Sequence, residues 1–131
     1  MLIDTSGLFC YFNKRSAHHD EAKTFFQSAT ERLTRNYIRA EFVALSHVRG
    51  LDRKITFDFS NWILDTPLMD VLFVDEALHN KALALLENRL DKNWSLCDAV
   101  SFVLMKNRNL TEALTTDRHF EQAGFVRLLK P

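Results

Sequence analysis

The sequence predicts an α/β fold: a three-layer α/β/α sandwich around a mostly parallel central sheet. Short apolar runs of strand type alternate along the chain with longer stretches of helical periodicity, the pattern of strand–helix–strand units. Only three Gly and two Pro occur in 131 residues, too few turn-formers for an all-β protein. No repeat, low-complexity segment or linker divides the chain, so residues 1–131 read as a single domain, long enough to bury a core.

Taken in order, Met1 to Asp4 forms a short buried strand, and Thr5 or Ser6 is placed to cap a helix that runs to about Lys14. Ala17 to Arg32 is a second helical run, with Ala22, Phe25, Phe26 and Ala29 at helical spacing. A short strand fits Arg32 to Asn36. Tyr37 to Arg49 is a helix that Gly50 is placed to end. Residues 54–66 (KITFDFSNWILDT) form another, closed by Pro67. Val71 to Val74 is an apolar run of strand type. Ala77 to Leu90 (ALHNKALALLENRL) and Ser95 to Asn107 are helices, and Ala113 to Thr116 is a strand. Arg118 to Ala123 gives a turn or two of helix, and Phe125 to Leu129 the last strand.

The 17 basic and 17 acidic residues balance, so no global positive field attracts a polyanion, which would need a local basic rim or a bound cation. Cys10 and Cys97 both lie in apolar runs and are too few for a disulfide framework; buried free thiols in a reducing compartment are the simpler expectation. Neither a signal peptide nor an apolar run approaching ~20 residues is visible, which points to the cytoplasm and away from a membrane.

In an open parallel sheet, ligands bind beyond the carboxyl ends of the strands. Asp4 ends the first strand and Asp117 follows the strand Ala113 to Thr116. Each has a bland alternative, closing a strand-to-helix turn or capping the next turn. Glu41 sits in a helix whose turn-neighbours Tyr37, Ile38, Ala44 and Leu45 offer no basic partner, so a carboxylate on a partly buried face is expected to find its partner elsewhere in the fold. Asp98 follows Ser95 by three residues, the spacing of a capping box, a role that can coexist with ligand binding. Two carboxylates ~4 Å apart repel by roughly 4 kcal/mol at an effective dielectric of 20. A cluster of four therefore requires protonation or a cation, and an all-oxygen donor set favours Mg²⁺ or Mn²⁺ over zinc.

These residues carry a family resemblance. IDTSGLFCYFNKRSAHHDEA, NYIRAEFVAL, WSLCDAVSFVLM and ALTTDRHFEQAGF resemble, in order and nearly end to end, the four blocks of PIN-domain ribonucleases, particularly the toxins of VapBC-type toxin–antitoxin pairs. The resemblance places Asp4, Glu41, Asp98 and Asp117 as the catalytic acids, with Ser6 and Thr115 as supporting hydroxyls. It implies a PIN-like sandwich, Mg²⁺- or Mn²⁺-dependent endonuclease activity on RNA, frequent homodimerisation and inhibition by a cognate antitoxin. Two positions depart from the family pattern: Cys97 and Arg35 each stand where a Thr is frequent.

The mechanism so implied is hydrolysis of a phosphodiester with a cation held by Asp4, Asp98 and Asp117, and Glu41 completing the acidic pocket. Lys14, Arg15, Arg35, Arg39 and Arg118 are candidates to hold the RNA backbone. Trp94 is expected in the core or rim rather than stacked on a base. His18, His19 and His119 are not assigned as a general base, and His119 is expected to order its own turn. The aromatics around Phe57, Phe59 and Trp62 suit the core or a partner surface. Two other readings compete: a non-catalytic PIN-fold module that binds RNA or protein, and a phosphatase using Asp4 as nucleophile, against which Asp4-Thr5-Ser6 lacks the usual Asp-x-Asp pair.

Overall fold

The N-terminal apolar run becomes the central strand β1 (Leu2–Ile3) of a computed structural model that describes residues 1–131. After it come α1 (Thr5–Phe12), α2 (His19–Ser28), β2 (Leu33–Arg35), α3 (Asn36–Val48), α4 (Arg53–Asp65) and β3 (Asp70–Leu72). The second half holds α5 (Glu76–Glu87), α6 (Leu96–Asn107), β4 (Glu112–Leu114), α7 (His119–Gln122) and β5 (Val126–Arg127). The strands form one sheet in the order β3-β2-β1-β4-β5, and every pairing is parallel. The predicted class and alternation hold, with strands shorter than the apolar runs that announced them.

Period-two alternation in the strands separates the two sides of the sheet. Ile3 and Leu114 face one core with Leu8 of α1, Phe26 of α2, Ile38 and Phe42 of α3 and Ile63 of α4. Their strand neighbours Leu2 and Ala113 face the other with Leu33, Trp94, Phe102, Met105 and Phe120. Helices α1 to α4 thus cover one face and α5 to α7 the other, three layers in all. No helix is long and apolar enough to cross a membrane.

The chain proceeds from β1 outward through β2 to β3, then returns across the sheet to β4 and moves outward the other way to β5. The direction of winding reverses between β1 and β4, which opens a crevice at their carboxyl ends. Asp4 leaves β1 there, and Thr115 to Asp117 leave β4 beside it. Gly7 brings α1 down onto the same place: a Cβ on it would lie 2.0 Å from the Leu114 carbonyl oxygen.

Two local expectations need correction. Neither Thr5 nor Ser6 caps α1; Asp4 holds the N-cap position and its side chain makes no capping bond. The helix α1 ends and α2 starts short of prediction because residues 13–18 form turns, with the Ser16 amide bonded to the Asn13 carbonyl and the Ser16 hydroxyl accepting from the His18 amide. At its other end α2 stops at Ser28 because Ala29 turns extended. The capping box at α6 is present as predicted: Ser95 Oγ accepts from the Asp98 amide and Asp98 Oδ2 from the Ser95 amide. Both cysteines are free and buried.

Candidate active site

A continuous hydroxyl network joins the ends of β1, α1 and β4. Thr115 Oγ1 donates to Asp4 Oδ2 at 2.9 Å and accepts from the Asp117 amide at 3.0 Å. Ser6 Oγ lies 3.0 Å from Thr115 Oγ1 and accepts from the Thr116 amide at 2.9 Å. Since Thr115 has one hydroxyl proton and gives it to Asp4, Ser6 is the donor in their mutual bond. The two hydroxyls therefore have fixed directions, and Asp4 is held at the floor of the crevice with 6% exposure.

Burial is the main influence on the Asp4 carboxyl and pushes it up to about 7; the Thr5 amide and Thr115 hydroxyl oppose the rise, the charge of Asp98 adds to it, and Arg35 counters it. Without a cation, the folded protein thus binds a proton that the unfolded chain releases between about pH 4 and pH 7. Stability falls as pH rises through that window and is level above it. Asp4→Asn is accordingly expected to melt above the wild type in EDTA at pH 8, by on the order of 2 kcal/mol against a ceiling of ~4 for three pKa units, and the gap is expected to close near pH 4. A thermal-melt series across pH checks this; a wild type more stable than the variant at pH 8 would contradict it.

Asp98, 8% exposed, stands across the crevice on the first turn of α6. Besides the Ser95 amide, its Oδ2 receives His119 Nδ1 at 3.0 Å, which leaves Oδ1 without a protein donor. Asp117 Oδ1 accepts from the His119 amide at 2.9 Å and lies 3.5 Å from His119 Nδ1. One ligand-capable atom from each of Asp98, Asp117 and His119 falls within 4.8 Å of the others. Asp4 is not in this set; it sits beneath it, close enough for the Asp98 charge to act on its carboxyl.

Glu41 is exposed rather than partly buried, because Ile38, Phe42 and Ser46 carry the buried face of α3. It does have a partner from elsewhere in the fold: Thr5 Oγ1 donates to its Oε1 at 2.6 Å, across from the start of α1. The Cys97 thiol is pushed up to about 12, chiefly by burial, with the nearby Glu41 adding to the rise, so it is no nucleophile at neutral pH. Arg35 reaches the same cysteine through its guanidinium and opposes that rise.

The PIN domain family model matches residues 1–126. The chain belongs to the PIN domain family. Seven chains of solved structures match significantly. One is the toxin VapC20 of Mycobacterium tuberculosis, described as sarcin–ricin loop cleaving, with a TM-score of 0.88 and 26% identity over 99% of this chain and 98% of that one. No curated protein sequence matches significantly. The chain is thus a VapC-like PIN domain over residues 1–126.

Within this PIN domain the predicted basic rim is largely absent from the crevice. Arg35 has 0% exposure: its guanidinium donates to the Cys97 carbonyl, to Ser101 Oγ and, at 3.4 Å, to Cys97 Sγ, so it braces the start of α6 from inside and cannot meet substrate at a surface. Arg39 turns to α4, donating to Ser60 Oγ at 2.9 Å. Lys14 and Arg15 are exposed but follow the far end of α1, an eight-residue helix, about 12 Å from Asp4 along its axis. Arg118 alone is exposed and adjacent to the acids. Trp94 is buried edge-on against Phe102 with its indole N–H on Gln122 Oε1, in the core as expected.

His119 is the residue that sequence reasoning placed too modestly. Its amide does order the turn, through Asp117, yet its imidazole also crosses to α6. A His two residues after a strand-end Asp was the available signal; the reach to Asp98 depends on α6 and α7 packing together through Phe102 and Phe120, whose rings meet edge to face at 5.0 Å.

Proposed function

We propose that this PIN domain is an endoribonuclease that hydrolyses RNA phosphodiester bonds with a Mg²⁺ or Mn²⁺ ion held by Asp98 and Asp117 over Asp4, with Glu41 at the rim. The observation that carries this reading is the convergence of ligand atoms from Asp98, Asp117 and His119 within 4.8 Å at the crevice, in a chain of the PIN family. The donor set fits a divalent cation: Asp98 Oδ1 has no protein donor, and the carboxylates gathered there repel one another until a positive charge separates them.

Bound in that crevice, the ion would polarise a phosphate oxygen and acidify a water for in-line attack. The chain's own residues do the positioning. Ser95, through the capping box at the start of α6, holds Asp98 aimed into the crevice. Thr115 fixes Asp4, and through the Asp117 amide it fixes the second ligand as well. Glu41, exposed and oriented by Thr5, is placed to accept a proton from water at the rim. Arg118 supplies local positive charge for the RNA backbone, which the neutral chain otherwise lacks.

By its likeness to VapC20 the protein would act as the toxin of a toxin–antitoxin pair in the cytoplasm, as a homodimer, and be inhibited by an antitoxin protein. Exposed Ile55, Phe57, Trp62 and Leu64 on α4 give such a partner an apolar surface. The phosphatase reading loses ground, since Asp4 is buried and committed to Thr115. The sarcin–ricin loop, substrate of the relative, is the first RNA to test. Cleavage in Mg²⁺ or Mn²⁺ is expected, lost in EDTA and in Asp4→Asn. Metal-independent binding without cutting would favour the inert module.

A further inference from the structure

We propose that His119 is a direct nitrogen ligand of the divalent ion, and that it biases the site toward Mn²⁺ over Mg²⁺. This rests on the metal-dependent reading above. Asp4, the third carboxylate expected from the sequence, is buried, bonded to Thr115 and outside the group of converging ligand atoms. The third atom within reach of both Asp98 and Asp117 is His119 Nδ1, at 3.0 and 3.5 Å from their oxygens. The ring is not a loose surface side chain: its amide is tied to Asp117 Oδ1 and the next residue, Phe120, is fully buried.

With carboxylates facing it, Nδ1 carries the ring proton in the metal-free protein; the other neutral tautomer, protonated at Nε2, leaves Nδ1 a lone pair aimed at the same place. A cation seated between the two carboxylates selects that tautomer, because an N–H pointed at it would be repelled. Mg²⁺ is served by hard oxygen donors and gains little from an imidazole, whereas transition ions accept nitrogen readily. The site therefore differs from an all-carboxylate one in which ion it prefers, not only in how tightly it binds.

The experiment uses the full chain, stripped of metal and loaded with one equivalent of Mn²⁺, read by electron spin-echo envelope modulation. The expected result is nitrogen modulation from a directly bound imidazole that changes to the ¹⁵N pattern when the protein is grown on ¹⁵N-histidine. His119→Gln should abolish the modulation, weaken Mn²⁺ binding in calorimetry by about tenfold, and change Mg²⁺ binding by less than twofold. Mn²⁺ bound by the wild type without nitrogen modulation, or modulation that persists in His119→Gln, would overturn the ligand assignment while leaving the metal site standing. Equal weakening for both ions would overturn the bias. Failure of the wild type to bind Mn²⁺ at all would overturn the metal-dependent reading together with this one. The isotope exchange needs no substitution, so the test survives if His119→Gln does not fold.

Discussion

Asp98→Asn is expected to slow RNA cleavage by about a thousandfold, ~4 kcal/mol of transition-state stabilisation, while the protein stays folded. The separation follows from the two jobs of this side chain. An amide oxygen at the same place still accepts from the Ser95 amide, and the Asp98 backbone N–H still reaches Ser95 Oγ, so the capping box largely survives. What disappears is the negative charge beside Asp117 and the unengaged Oδ1. Loss of a helix-start charge costs about 0.5 kcal/mol, and relief of repulsion with Asp4 offsets part of it. Single-turnover cleavage rates beside circular-dichroism melts check both halves; a rate within tenfold of wild type would remove Asp98 from the reaction.

Gly7→Ala has the largest expected effect on stability. The added methyl would lie 2.0 Å from the Leu114 carbonyl oxygen and 2.8 Å from its carbon, backbone atoms that cannot swing aside. That same carbonyl accepts from the Asp4 amide at 3.2 Å, so relieving the clash either lifts α1 off the sheet or disturbs the β1–β4 junction that seats Asp4. A loss of ~3 kcal/mol or more follows, a fall in Tm of roughly 10 °C for a domain of this size, with impaired cleavage alongside. A melt within about 2 °C of wild type would show that α1 has slack the structure does not reveal.

The sequence carried the fold well because strand and helix periodicities differ and the winding rule then fixes where strand ends meet. Asp4 and Asp117 were legible for that reason, and Asp98 because a capping box is a local motif. Side chains whose setting is made by distant elements were not. Arg35 looked like a surface cation, and only the packing of α6 over the end of β2 supplies the Cys97 and Ser101 acceptors that bury it. Glu41 seemed partly buried from its apolar turn-neighbours, yet the buried stripe of α3, Ile38, Phe42 and Ser46, is centred about 100° round the helix from it. His119 reaches Asp98 across 21 residues of chain, a contact no local pattern encodes.

The chemistry of the RNA ends tests the central claim most directly. Attack by a water activated at the acid cluster leaves linear phosphate and free hydroxyl termini, incorporates solvent oxygen into the phosphate, and stops in EDTA. Mass spectrometry of sarcin–ricin loop fragments cut by the purified protein in H₂¹⁸O should therefore show one ¹⁸O in the terminal phosphate and no 2′,3′-cyclic phosphate. Cyclic phosphate ends that form equally well in EDTA would mean the ribose hydroxyl is the nucleophile, and that Asp4, Asp98 and Asp117 do not work through a metal.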